Sequence, residues 1–334
     1  MKNVKLKLAV LGAFSVLSAQ AFATGLVALP TAGFTVAAGT NQPAGTTGWA
    51  TCNATGNYGS GEYTAPTAAA NNTCAVFPGG ARNLTTSPVS TIATAVAAKT
   101  TTTITANSET LGTLGQRTWR NTAGTECIFA KYIDFATTGS FDYNPGLAGS
   151  QRFEANDIAL GGFSLTPSVS AGYYHTSTTD SPVFRMGRSF TSVQMQANAV
   201  VVGTSPIGTV PAPGFVHRPL NSPAPAASTE INGVGQTLTG SVGLVVPTAA
   251  QQTSEIRTNW VDFMLDNTGG VDEDGTTAQN SPVLYVQAAC SGTTAAVIAT
   301  TSNTIRIRQT GQETQPWVTI LAAGQTRASA NANF

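Results

Sequence analysis

Ile305-Arg306-Ile307-Arg308 is the stretch from which the fold can be read. Apolar and charged residues alternate strictly, and a period of two sends successive side chains to opposite faces of a strand. A helix would place its apolar residues three and four apart. The same alternation recurs upstream. Phe34 and Val36 flank Thr35, and Val193, Met195 and Ala197 are separated by Gln194 and Gln196. Leu238, Val242, Leu244 and Val246 share one parity, and Val283 and Tyr285 follow Pro282. Gly, Pro and Asn bound these runs, as they bound half-buried strands. Helical candidates are confined to Gln251–Leu265, which fits a strand about as well, and to the Ala-rich run Ser90–Lys99. The expected class is all-β: antiparallel β-sandwich modules with long Gly/Thr/Pro-rich loops and two disulfides.

The first residues bear on the compartment. Lys2, Lys5 and Lys7 precede the apolar run Leu8–Leu17, and Ala21-Phe22-Ala23 follows as a small-residue cleavage site. This is the layout of a secretory signal peptide, residues 1–23, of bacterial form. The expected location is therefore extracellular or at the cell surface, by the general secretory route. Its removal leaves 13 basic against 16 acidic residues. Only 10% of the chain is charged, well below the roughly 25% of an ordinary soluble domain. With 41% hydrophobic residues it is not a disordered composition. Balanced charge argues against a nucleic-acid partner. No later run reaches the roughly 18 apolar residues of a transmembrane helix.

Cys52, Cys74, Cys127 and Cys290 all follow the signal, an even number in an oxidising compartment with no C-x-x-C spacing. The favoured pairing is Cys52–Cys74, closing a short loop, and Cys127–Cys290, tying early strands to late ones. The chain divides into an N-terminal β-rich domain, 24–202, with a loop insertion at about 37–90, a Pro-rich connection, 203–236, and a C-terminal β-rich segment, 237–334. Six prolines between Pro206 and Pro225 forbid continuous ladder bonding in that connection.

Catalytic signatures are sparse. There is no G-x-S-x-G elbow, and the histidines are His175 and His217 alone. Glu126, Asp134, Asp142, Glu154 and Asp157 could pair for glycoside hydrolysis. They lie within residues 115–190, where aromatic residues and arginines are densest. Trp119 and Tyr143 there are candidate glycan contacts, although 14 phenylalanines suit a core better than sugar stacking. The acidic run from Asp266 to Gly275 offers Asp266, Asp272 and Asp274 as hard oxygen donors for Ca2+. It lacks the twelve-residue loop with a terminal bidentate Glu. No cofactor is otherwise expected.

Both termini suggest roles in assembly or sorting. The mature chain would start at Thr24, with Leu26, Val27, Leu29, Phe34 and Val36 forming an apolar segment able to add to a neighbour's sheet edge. At the other end Ala328, Ala330 and Ala332 alternate with polar residues before the terminal Phe334. This resembles the sorting signal of outer-membrane β-barrels, and the resemblance implies a membrane barrel. It covers only the last few residues and places alanine where such barrels carry bulky apolar groups. The leading expectation is an exported, non-enzymatic, self-associating structural protein of the bacterial surface or matrix, a filament or layer subunit. The alternatives are a secreted adhesin or polysaccharide-binding module and, third, the barrel.

Overall fold

The computed structural model describes residues 26–36, 45–51, 75–76, 82–106, 109–136, 153–163, 166, 168–174, 183, 185–189, 192–194, 216–218, 256, 258–268, 279–290, 298–310 and 317–327. Its strands begin with β1 (Val27–Ala28), β2 (Phe34–Val36), β3 (Gly45–Thr47), β4 (Trp49–Thr51), β5 (Ala75–Val76) and β6 (Thr94–Ala95). There follow β7 (Thr100–Ala106), β8 (Glu109–Arg120), β9 (Glu126–Phe135), β10 (Glu154–Gly161), β11 (Val169–Tyr174) and β12 (Arg185–Gly187). The last are β13 (Ser192–Gln194), β14 (Val216–Arg218), β15 (Trp260–Thr268), β16 (Val283–Ala289), β17 (Ile298–Thr310) and β18 (Trp317–Arg327). The described residues contain no helix, so both helical candidates fail where they are described. Ser90–Lys99 is turn with β6, and the end of Gln251–Leu265 is strand β15.

An eight-stranded sheet runs β1-β11-β16-β9-β8-β6, with β5 also on β11 and β7 also on β8. A six-stranded sheet runs β18-β17-β10-β15-β12-β4, and β13–β14 and β2–β3 form small separate pairs. Every pairing is antiparallel except β5 with β11. Strands from either side of the 203–236 connection interleave: β16 lies between β11 and β9, and β15 and β17 flank β10. The two halves of the chain therefore share both large sheets.

One apolar cluster draws on both sheets. Phe129, Tyr173, Leu284 and Val286 come from the eight-stranded sheet, and Ile158, Leu160, Phe263, Ile305 and Ile307 from the six-stranded one. Phe163 meets Phe129 edge to face, with centroids 5.9 Å apart. The opposite face of the eight-stranded sheet carries a second cluster, where Ile128, Ala130, Tyr132 and Tyr285 meet Leu84 and Ile92. Strand β9 is thus buried at nearly every position because each parity has its own core. Gly115 serves this second layer. The Tyr132 ring lies over it, and a Cβ there would come within 2.2 Å of the ring.

The hairpin joining β8 to β9 is closed by side chains. Asn121 Oδ1 accepts the Thr125 and Glu126 amides at 2.8 and 3.2 Å. Gly124 takes the positive φ of 71° that the turn requires. The Cys127–Cys290 disulfide joins the start of β9 to the residue after β16. It is the expected second pairing, and one disulfide rather than two lies among the described residues, because Cys52 and Cys74 fall outside them.

Candidate functional site

The N-terminal edge of the eight-stranded sheet is built from very little chain. Val27 pairs with Ala171 and Ala28 with Ser170. The Leu29 amide then donates to the Val169 carbonyl at 2.7 Å. Alternation divides the side chains: Leu26 packs against the second apolar cluster and Val27 against the first. Leu29 is buried at 1% exposure in the first cluster, a burial worth about 1.5–3 kcal/mol. A turn follows, with the Gly33 amide donating to the Pro30 carbonyl, and β2 leaves to pair with β3. Phe34 packs against the first cluster, and Val36 ends β2. Of the five residues expected to form one assembly strand, Val27 lies in β1, Leu26 and Leu29 flank it, and Phe34 and Val36 lie in β2 beyond a turn.

Other expected site residues are placed differently from their sequence reading. Trp119 is 1% exposed, inside the second cluster with the Arg117 guanidinium 5.6 Å from its ring centre. Its face is not offered to a sugar. Asp266 lies within strand β15, while Asp272, Asp274 and Tyr143 lie outside the described residues. No group of three or more metal-ligating side chains occurs among the described residues. No helix there is long and apolar enough to cross a membrane.

Of the carboxylates considered for hydrolysis, Asp142 lies outside the described residues and Glu126 is exposed, accepting from Gln287 Nε2 at 3.2 Å, while the other three are engaged in the protein. Asp134 pairs with Arg82. Glu154 is buried and accepts from Asn156 Nδ2 at 2.8 Å. Asp157 pairs with Arg308, whose guanidinium also binds Asp262 at 2.6 Å. These three residues stand on the face of the six-stranded sheet opposite Ile158, Phe263 and Ile307, and all are buried. Strand β13 packs against β10 and β17. Burial, aided by the Asp157 charge, raises the Asp262 carboxyl well above its ordinary range. Burial also opposes the charge on Arg308, but Asp157 and Asp262 together hold it above the usual guanidinium value. Arg306, one strand position pair away, lies 4.9 Å from the Trp260 ring centre. Burial, then the nearby Arg308, lowers it to about 9.

A second polar group is buried between the sheets, and sequence reasoning did not assign it. Lys131 is 3% exposed and shares its strand parity with Phe129 and Ile133 of the first cluster. Its ammonium donates to the Gln325 carbonyl of β18 at 2.8 Å. Gln116, its register partner on β8, donates to the Ala323 carbonyl at 3.2 Å and accepts the Gln325 amide at 2.8 Å. Thr118 Oγ1 donates to Gln325 Oε1 at 2.9 Å. Side chains of β8 and β9 thus substitute for a partner strand along this part of the β18 edge. Burial lowers Lys131 to about 7. The available signal was rarity, since Lys99 and Lys131 are the sole lysines after the signal segment.

Chemically, the buried charges hold strands in register, and the apolar β1 edge offers a contact that another strand could make. No family model matches the chain, and no curated protein and no solved structure matches it.

Proposed function

We propose that the chain is an exported, non-enzymatic structural protein of the bacterial cell surface or extracellular matrix that associates with copies of itself. In this reading the two large sheets pack as a β-sandwich, and the segment beginning at Leu26 is exchanged between copies. The observation that carries it is the slightness of the β1 edge, two residue pairs anchored by Leu29. The same contacts can be remade on β11 of a neighbouring copy at little cost, as in domain swapping. Repeated head to tail, that exchange gives a filament. Low charge suits close packing of identical subunits, and the Arg308 network ties up carboxylates that would otherwise be free for acid–base chemistry.

Deleting residues 24–30 tests this reading. The expected result is a folded chain by circular dichroism that no longer forms filaments or layers in negative-stain electron microscopy. Assembly unchanged by the deletion would rule out strand exchange. The adhesin or polysaccharide reading has less support, because Trp119 is enclosed. The barrel reading has less support too, because Asp157, Asp262, Arg306 and Arg308 share the outer face of the six-stranded sheet, where a barrel needs lipid-facing apolar groups.

A further inference from the structure

The two large sheets end in edges that are managed differently. Beyond β11 lie β1 and β5, two residues each, and the outer strand β4 has three. Part of the long edge strand β18 is occupied from inside by Gln116 and Lys131. Strand β7 is the exception. It runs seven residues, Thr100–Ala106, and among the described residues it pairs with β8 alone. Thr100, Thr101, Thr102, Thr103 and Thr105 are exposed, and Ile104 is buried in the first cluster.

Natural edge strands are shielded by charge, proline or bulges, because unpaired N–H and C=O groups recruit another strand. β7 holds no charge and no proline. Its register irregularity falls after Ile104, which leaves Thr100–Ile104 in regular pairing with Gly112–Gln116. An open backbone edge of this kind is satisfied by an extended strand.

We propose that the β7 edge is a two-fold self-association surface whose occupant is β7 of a second copy. The two strands run antiparallel about an axis at Thr102. The sequence is self-complementary in that register. Thr101 faces Thr103 and Thr100 faces Ile104, pairs that favour a sheet. Lys99, the nearest charge, falls opposite Thr105, so the two-fold brings no like charges together. An edge carrying its own charges would repel itself under the same symmetry. The contact is isologous and closes as a dimer, whereas strand exchange at β1 propagates. It rests on the self-association reading but uses none of the residues exchanged there.

Cysteine cross-linking in the full chain tests the surface. Thr102→Cys is expected to give disulfide-linked dimer under mild oxidation, while Thr122→Cys, on the exposed β8–β9 turn, gives only collisional background. The register has its own check. Thr101→Cys mixed with Thr103→Cys cross-links more than either alone, and this pair carries the test should Thr102→Cys fail to fold. Thr102→Lys brings two ammonium groups together at the axis and is expected to raise the dimer dissociation constant about tenfold or more in sedimentation. Cross-linking no greater than the Thr122→Cys background in all of these variants overturns the proposal. Native filaments alongside that result would leave the strand-exchange reading standing. Dimer without filaments would do the reverse.

Discussion

Arg308 and Lys131 are both buried cations, yet the protein treats them in opposite ways. Arg308 lies between two carboxylates, which keep it charged in spite of burial. Lys131 has a backbone carbonyl and an aromatic ring, the Phe129 centroid being 5.6 Å away, and burial brings it down to about 7. A guanidinium can satisfy two carboxylates at once through its planar fork, whereas an ammonium can lose its proton and remain a hydrogen-bond donor. Charge is retained where three strands, β10, β15 and β17, must be held in register. Where one strand edge only needs a donor, the charge is lost above about pH 7.

The largest expected effect comes from removing the charge that is kept. Arg308→Met should cost about 3–5 kcal/mol in denaturant unfolding, because Asp157 and Asp262 are left buried together. Adding Asp157→Asn and Asp262→Asn should recover most of that loss. A cost below about 1 kcal/mol for Arg308→Met alone would mean the carboxylates find other relief.

Next is the covalent clamp on the strand that carries Lys131. Replacing Cys127 and Cys290 together by Ala should cost about 2–5 kcal/mol in the same assay. The bond closes a sequence separation of 163 residues. An effect confined to the ends of β9 and β16, seen as local hydrogen exchange without a global loss, would show that the Lys131 network holds the strand independently.

The pH dependence separates the two cations most directly. Lys131 is neutral in the folded chain above about 7, while in the unfolded chain it binds a proton up to about 10.5. Between those values the unfolded state holds more protons, so stability rises with pH, by at most about 1.4 kcal/mol per pH unit. Lys131→Met should abolish that slope when unfolding is measured from pH 7 to 9. An unchanged slope would assign it to other groups. The smallest effect is that of Lys131→Met at pH 7. Loss of the bond to Gln325 is offset by relief of desolvation, so the change should stay within about 1.5 kcal/mol.

Much of the scaffold was legible from residues that act locally. The Ile305/Ile307 alternation and the run after Pro282 became β17 and β16, and Cys127 was paired with Cys290 on position alone. The burial of Arg306 and Arg308 was not legible, because alternation identifies two faces without saying what covers the second. Here that face is buried. The burial of Trp119 was hidden for a related reason: an aromatic beside arginines reads alike in a sugar site and in a layer closed by Leu84 and Ile92. Gln116 and Gln325 gave no signal, since their bonds cross 209 positions of chain.

Period-two patterning, cysteine placement and the apolar start therefore follow from composition and spacing, because backbone pleat and chain order are local properties. The interleaving of β15, β16 and β17 among the earlier strands required the folded chain, as did the choice of which cation keeps its proton and which sheet edge is filled. Each of these depends on groups brought together from distant positions, where desolvation and partner geometry outweigh the preferences of any single residue.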